Sequence, residues 1–254
     1  MQNNPLSMKI LFSLSIFFLS TIQHHAQTPY EIIERADSKL RGASSYTEMS
    51  ITTVRPKWEK KMTLKGWSKG ADYSVSLVLS PAKEKGSVFL KRKNEVWNYI
   101  PSLERTIKLP PSMMMQNWMG TDLTNDDLVK QSSTVVDYTH KIAGTETIQN
   151  LPCWKLILIP KEEATVVWGK VIVWVDKTDY MQLKSEFYDE DDELINVMLG
   201  SNVKTFSGKK LPAKIEFIPV EDEGHKTIIE YNVWDFDINV SEDKFNQNKM
   251  SQLK

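Results

Sequence analysis

From residue 47 onward, most of the chain alternates apolar and polar positions with the period of two that is typical of β-strands. Short turns separate these stretches, and consecutive strands with short connections favour an antiparallel arrangement over a parallel sheet with crossover helices. About a dozen such strands predict a strongly curved antiparallel sheet or an incomplete barrel. The predicted strands are residues 47–55, 60–69, 73–80, 87–91, 95–100, 105–109, 134–143, 153–160, 166–175, 180–188, 194–206, 210–220 and 226–236.

Helical spacing is found at the start of this region. Residues 29–40 begin with a proline, carry apolar side chains three and four positions apart, and are followed by a glycine that ends the pattern. We expect this amphipathic helix to pack its apolar stripe on the sheet. Residues 241–254 are polar and predict either a short helix or a loose tail.

The longest interruption of the strand pattern is residues 110–128, which we call the mid-chain segment. Two prolines end the preceding strand, Ser112 is a candidate N-cap of a short helix, and Asp122 or Thr124 is a candidate cap of a second one. Four methionines and Trp118 complete the segment. Such an adaptable cluster either plugs the core beneath a helix or forms a mobile apolar lid over a cavity. The residues alone leave both interpretations open.

The strands next to this segment carry apolar side chains toward it. Trp97 and Tyr99 share one face of their strand, as do Ile107 and Leu109 of the next strand. We expect these faces to reach the methionines. The strand at residues 166–175 is apolar on both faces, so one face could pack on a helix while the other lines an interior cavity.

The N-terminus has the features of a secretory signal peptide. A positive charge follows Met8, which is an alternative start, and an apolar run at residues 10–19 precedes a cleavage site expected after Ala26. The run is too short to span a membrane comfortably, and no later stretch resembles a transmembrane helix. We therefore expect residues 1–26 to be removed and residues 27–254 to form a single exported domain.

Composition and spacing give little support to catalysis or metal binding. The 32 basic and 33 acidic residues balance, so no global charge points to nucleic acid. Cys153 is the only cysteine, which excludes an internal disulfide, and we expect it to be a small buried side chain. Together with His140 and His225 it matches neither a zinc site nor a nucleophile triad. The acidic run at residues 189–193 lacks EF-hand spacing and predicts a hairpin turn. We expect no enzymatic activity, no metal and no cofactor.

Two stretches resemble a known family. Residues 111–128 (PSMMMQNWMGTDLTNDDL) resemble a motif of the bacterial outer-membrane lipoprotein-sorting protein family, which are relatives of the carrier LolA. Residues 173–180 (VWVDKTDY), followed by residues 184–189 (KSEFYD), resemble another motif of these proteins. The resemblance covers essentially all of the chain after the signal peptide.

This resemblance implies a mainly β fold like that of LolA and LolB, in which an N-terminal helix and a mid-chain helical lid close a half-open β-barrel. It implies a non-catalytic periplasmic carrier in a Gram-negative cell, which binds the acyl chains of a lipid or lipoprotein for transport toward the outer membrane. An inner-membrane transporter and an outer-membrane acceptor are candidate partners. The implied ligand-binding residues are Met113, Met115, Trp118 and Met119 of the lid, with Trp97, Tyr99, Ile107 and Leu109 on the sheet side.

A second hypothesis belongs to another class. The protein could be an accessory interaction module of an envelope export or signalling system, using the outside of the barrel. That hypothesis predicts a core filled by side chains and a specific protein partner.

Overall fold

The structure, a computed structural model, describes residues 27–129, 133–164 and 166–253. The predicted signal peptide lies outside these ranges. The α-helices are α1 (Pro29–Arg41), α2 (Asn125–Val129) and α3 (Ser133–Val136). The strands are β1 (Ser44–Arg55), β2 (Trp58–Lys69), β3 (Tyr73–Ser80), β4 (Val88–Arg92), β5 (Glu95–Ile100), β6 (Arg105–Lys108), β7 (Tyr138–Ile148), β8 (Leu151–Pro160), β9 (Lys170–Asp176), β10 (Gln182–Tyr188), β11 (Leu194–Phe206), β12 (Lys209–Pro219) and β13 (Lys226–Phe236). The 3-10 helices are Pro101–Leu103, Pro111–Met113, Trp118–Gly120, Glu242–Phe245 and Gln247–Gln252.

All thirteen strands form one antiparallel sheet, in the order β6-β5-β4-β3-β2-β1-β13-β12-β11-β10-β9-β8-β7. Neighbours in the sheet are neighbours in the chain except at β1 and β13, which join the first half of the sheet to the second. In the described part of the chain the edge strands β6 and β7 do not pair with each other, so the sheet stays open. The predicted curved antiparallel meander is confirmed. The mid-chain segment leads from one edge of the sheet to the other.

Two predicted strands begin four residues later than expected. Residues 133–136 form α3 although their Ser-Thr-Val-Val sequence favours a strand, because Val135 is buried against α1 and the strands beneath it. The next strand, β7, therefore starts at Tyr138. The predicted strand at residues 166–175 has ladder hydrogen bonds only from Lys170 onward.

Helix α1 lies in the concave face of the sheet. Thr28 caps it in a capping box with Glu31, and the Gly42 N–H donates to the Ser38 carbonyl at the other end. Its buried residues, Ile32 among them, pack on β8 and β9, which confirms the predicted apolar stripe. One face of β9 packs on α1, and Val171 of the same face also lines the interior cavity. The sequence had suggested that one face packs on a helix and the other lines a cavity, but a single face does both.

The C-terminal 3-10 helices cover the outer face of the first half of the sheet. Phe245 and Met250, which are 3% and 2% exposed, pack on Val75, Leu77 and their neighbours. The polar tail predicted from sequence is thus a packed part of the fold. None of the described helices is long and apolar enough to cross a membrane.

Candidate functional site: a roofed cavity in the concave face

A cavity of ≈ 420 Å³ lies between the concave face of the sheet, α1 and the mid-chain segment. Its volume falls in the range of small-molecule binding sites, roughly 300–1,000 Å³. Much of its wall is apolar and comes from both halves of the sheet, including Met49, Leu64, Phe89, Ile215, Ile229 and Tyr231. The interior is therefore suited to an apolar ligand.

Local hydrogen bonds shape the mid-chain segment. The Thr124 hydroxyl accepts from the Asp127 N–H at 3.1 Å, and the Asp127 carboxylate accepts from the Thr124 N–H at 2.8 Å. Of the two candidate caps, Thr124 is therefore the one that caps α2. The first turn, Pro111–Met113, has no side-chain cap, so Ser112 does not take the predicted role. The fixed φ of proline is compatible with the first position of such a turn.

The turn that carries the methionines is tied to α2. The Asn125 amide donates to the carbonyls of Met113 and Gln116 at 3.0 and 3.2 Å, and Asn125 is 6% exposed. The Asp126 N–H donates to the Met114 carbonyl at 2.8 Å. These bonds make the segment one small structural unit instead of a loose loop.

Trp118 forms the roof of the cavity. It is 4% exposed, lines the cavity, and packs edge-on against Phe89 with 5.2 Å between the ring centroids. Leu123 packs beside it in the same apolar cluster. Among the described residues, the Trp118 indole Nε1 is buried without a hydrogen-bond partner. Sequence reasoning had identified this side chain, and the structure places it at the cavity.

A buried ion pair fastens the segment to the sheet. Arg55, at the end of β1, holds Asp122 through Nη2 at 2.9 Å and Nη1 at 3.1 Å, with 11% and 8% of the two side chains exposed. Thr227 of β13 donates its hydroxyl to Asp122 at 2.6 Å and accepts from the Asp122 N–H at 2.8 Å. Arg55 Nη2 also donates to the Gly120 carbonyl at 3.2 Å. We call Arg55, Asp122 and Thr227 the latch.

The other predicted residues of the mid-chain segment lie outside the cavity. Met119 is half-buried and packs against the Trp118 cluster, with a φ of 54° that precedes the left-handed Gly120. Met113 and Met115 are 37% and 53% exposed. Neither side chain lines the cavity.

The predicted sheet-side residues are likewise not brought to the cavity. Trp97 and Tyr99 belong to the outer-face cluster beneath the C-terminal helices. Ile107, on the edge strand, is 42% exposed, and Leu109 is half-buried. The physical reason is that the C-terminal tail supplies an apolar cover for the outer face, so the apolar side of β3–β5 turns outward. The wall expected from these residues is built instead by the alternate positions, such as Phe89.

Sequence reasoning missed the polar part of the cavity. The serines of β3, Ser74 and Ser76, line it together with Thr47 of β1 and Ser68 of β2. In the sequence Ser74 and Ser76 alternate with Val75 and Leu77, but a polar face is ordinarily the wet face of an antiparallel sheet. The sequence signal was present, and only the tertiary cover shows that this face is the interior.

An open antiparallel sheet with a helix in its concavity and a mid-chain roof defines the LolA-like fold class. A DUF1329 family protein from Desulfovibrio piger superposes with a TM-score of 0.80 at 22% identity, over 87% of this chain and 97% of that one. A putative outer membrane lipoprotein-sorting protein domain from Vibrio parahaemolyticus gives 0.76 at 22% identity, over 88% and 98%. A LolA superfamily protein from Nitrosomonas europaea gives 0.73 at 23% identity, over 88% and 99%. The predicted LolA-like half-open architecture is confirmed.

The family assignment rests on sequence. A family model described as “Uncharacterized protein” matches residues 70–252, and the chain belongs to that family. A search of curated proteins found no match.

Proposed function

We propose that this protein is a non-catalytic periplasmic carrier that binds the acyl chains of a lipid or lipoprotein in its cavity for transport toward the outer membrane. The observation that carries the proposal is the apolar cavity, roofed by a separate segment that a few polar contacts hold in place. Transferring apolar surface from water into such a site is favourable by roughly 25 cal/mol per Å². The fold likeness to a lipoprotein-sorting domain supports the same reading.

The polar groups near the roof support a carrier and not an enzyme. Asp122 is engaged by Arg55 and Thr227, and Asp127 caps α2. Both of these carboxylates therefore already have a structural role. Cys153 is fully buried, and burial raises the pKa of its thiol, so it is poorly suited to act as a nucleophile.

The proposal includes export and exchange with membranes. The signal peptide at residues 1–26 would direct the chain out of the cytoplasm, and residues 27–254 would act as one carrier domain. An inner-membrane transporter would supply the cargo and an outer-membrane acceptor would receive it. The alternative, an accessory interaction module, expects a core filled by side chains, and the cavity favours the carrier over it.

The test is lipid binding with a blocked cavity. Protein purified from an envelope extract is analysed by native mass spectrometry for retained lipid, and binding of a fluorescent fatty-acid probe is titrated. Ser76→Phe places a ring over Gly66 in the cavity floor and should abolish both signals. Leu79→Phe, on the outer face of the same strand, is the matched control and should bind as the unsubstituted protein does.

The outcomes separate the two hypotheses. Retained lipid that disappears only in Ser76→Phe, with both variants folded by circular dichroism, supports the carrier. The carrier proposal fails if the unsubstituted protein neither retains lipid nor binds the probe. It fails equally if Ser76→Phe binds the probe with unchanged affinity, because the ligand would then lie elsewhere.

A further inference from the structure

The concave floor of the cavity changes from polar to apolar along the strands. At one level Ser45 of β1, Ser68 of β2, Ser74 of β3 and Lys91 of β4 stand directly opposite one another. All four side chains line the cavity, and we call them the hydroxyl row. The Ser45 and Ser68 hydroxyls are hydrogen-bonded at 2.7 Å. The hydroxyls and the ammonium group provide several hydrogen-bond donors along one level of the floor.

Successive levels of the same strands lose this polarity. The next row is Thr47, Gly66, Ser76 and Phe89, and the row after that contains Met49 and Leu64. From Ser45 to Ile51 of β1 the gradient extends over roughly 20 Å at ~3.3 Å per residue. This exceeds half of a bilayer's ~30 Å hydrocarbon thickness, which is the reach of one leaflet's acyl chains. The cavity therefore has the length and the polarity profile of an amphiphile.

The polar end also carries charged groups. Arg41, in the last turn of α1, lines the cavity near the hydroxyl row together with its ion-pair partner Asp37, and Lys91 adds a further positive charge. Lys91 is half-buried and donates to the Ala71 carbonyl at 2.7 Å, which leaves other donors of its ammonium group for a ligand. Burial and the Arg41 charge lower the pKa of Lys91, whereas Asp72 raises it. An anion at this place would relieve the repulsion between the two cations.

A polar group that lacks a partner lies one level above the hydroxyl row. Trp234 of β13 stands opposite Thr47, lines the cavity and is 6% exposed. Within the described ranges its indole Nε1 is buried with no hydrogen-bond partner. A ligand oxygen next to the head of an acyl chain would lie in the same cavity and would satisfy this donor.

We propose that the cargo is an anionic amphiphile whose carboxylate or phosphate binds Lys91, Arg41 and the serine hydroxyls, with its chain running toward Trp118. This inference rests on the proposed carrier function and adds the chemical class of the head group and the direction in which the ligand lies. The anion would accept charge-assisted hydrogen bonds, which are the stronger kind.

The experiment compares ligands that share one chain and differ in head group. Dodecanoic acid, dodecyl phosphate and dodecanol are each titrated against delipidated full-length mature protein by displacement of a fluorescent apolar probe, at a pH where both acids are ionised. We expect both acids to bind roughly ten- to a hundredfold more tightly than the alcohol, the range of hydrogen bonds to charged groups. Whichever of the two acids binds more tightly identifies the natural head group as a carboxylate or as a phosphate.

Substitutions then locate the head group. Lys91→Met should remove most of the preference for the acids while leaving the affinity for dodecanol unchanged. Lys93→Met, which removes an exposed charge from the neighbouring turn, is the matched control and should preserve the preference. Ser74→Ala, which cannot alter net charge, should reduce the preference by a smaller factor.

The results that overturn the inference are distinct from those that overturn the function. Equal affinity for all three ligands, or an equal loss for all three in Lys91→Met, refutes the anionic head-group site while leaving an apolar carrier intact. If Lys93→Met lowers the preference as much as Lys91→Met, long-range attraction and not this site is responsible, and the inference fails. If no ligand displaces the probe, the carrier function and the head-group site fall together.

Discussion

The latch gives the sharpest test of how the roof is held. Arg55→Met keeps an unbranched apolar stem and removes the guanidinium charge, which leaves the Asp122 carboxylate buried with Thr227 as its remaining side-chain donor among the described residues. Removing one partner of a fully buried pair costs about 3–5 kcal/mol, because an uncompensated charge remains. Since 11% of Arg55 is exposed and Thr227 stays bound, we expect a loss of about 2–4 kcal/mol.

The loss should be visible in two measurements. Urea unfolding should show a free energy of unfolding lower by that amount. Amide hydrogen exchange should accelerate by roughly 30- to 900-fold at the N–H groups that close the roof, since each 1.36 kcal/mol is a factor of ten. These groups include those of Trp118 and Asp126, which donate to the carbonyls of Leu123 and Met114.

The matched control is another ion pair between a basic and an acidic side chain, but one that is exposed to solvent. Lys69 and Glu242 also join two separate parts of the chain, but 44% and 84% of their side chains are exposed. Lys69→Met should therefore cost at most about 1 kcal/mol. If Arg55→Met costs no more than this control, the pair is not a desolvated latch and the reasoning is refuted. If the urea m-value of Arg55→Met also falls, the roof is already open in the native variant.

Three further predictions test the fold around the site. Thr28→Ala removes the capping box of α1 and should lower the free energy of unfolding by about 1 kcal/mol in urea titrations. Gly169→Ala would place a Cβ 2.4 Å from the Asp189 carbonyl oxygen, so the turn after β10 must move, and we expect a loss of about 1–3 kcal/mol in the same assay. Burial raises the pKa of Tyr231 from 10.0 to about 12, so its contribution to stability is complete below pH 10 and is lost as the pH rises toward 12. Unfolding measured across this window should show that Tyr231→Phe loses less stability than the parent, by at most about 2 kcal/mol because the ring borders the cavity. If the free energy of unfolding of Tyr231→Phe falls with pH as steeply as that of the parent, Tyr231 is not the group responsible.

The strands and their antiparallel pairing with chain neighbours could be predicted because these features depend on nearby residues, whereas the pairing of β1 with β13 was not predicted. A period of two, interrupted by turn residues at short intervals, indicates antiparallel neighbours without any knowledge of the core. The same holds for Gly42 and Thr124, whose roles at helix ends depend on residues three or four positions away. The departure at α3 shows the limit of such reasoning, since Val135 is helical through its burial against distant elements.

The assignment of faces could not be predicted, because it depends on what covers each face. In β3 the sequence separates Val75 and Leu77 from Ser74 and Ser76, but it does not say which set is inside. Phe245, about 170 residues later in the chain, packs on the apolar set and turns it into an outer cluster. The same cover explains why Trp97 lies away from the cavity. The rule that the apolar face of a sheet is the interior face does not apply to a curved sheet whose two faces are both covered.

This inversion is itself an argument about function. A floor selected only for stability would carry apolar side chains, since buried hydroxyls and indole N–H groups cost free energy unless each finds a partner. The structure instead keeps a hydroxyl row and Lys91 at the cavity floor. The outer face shows that this chain can pack apolar side chains closely where nothing has to bind. The polar floor is therefore better explained by a ligand with a polar head than by folding.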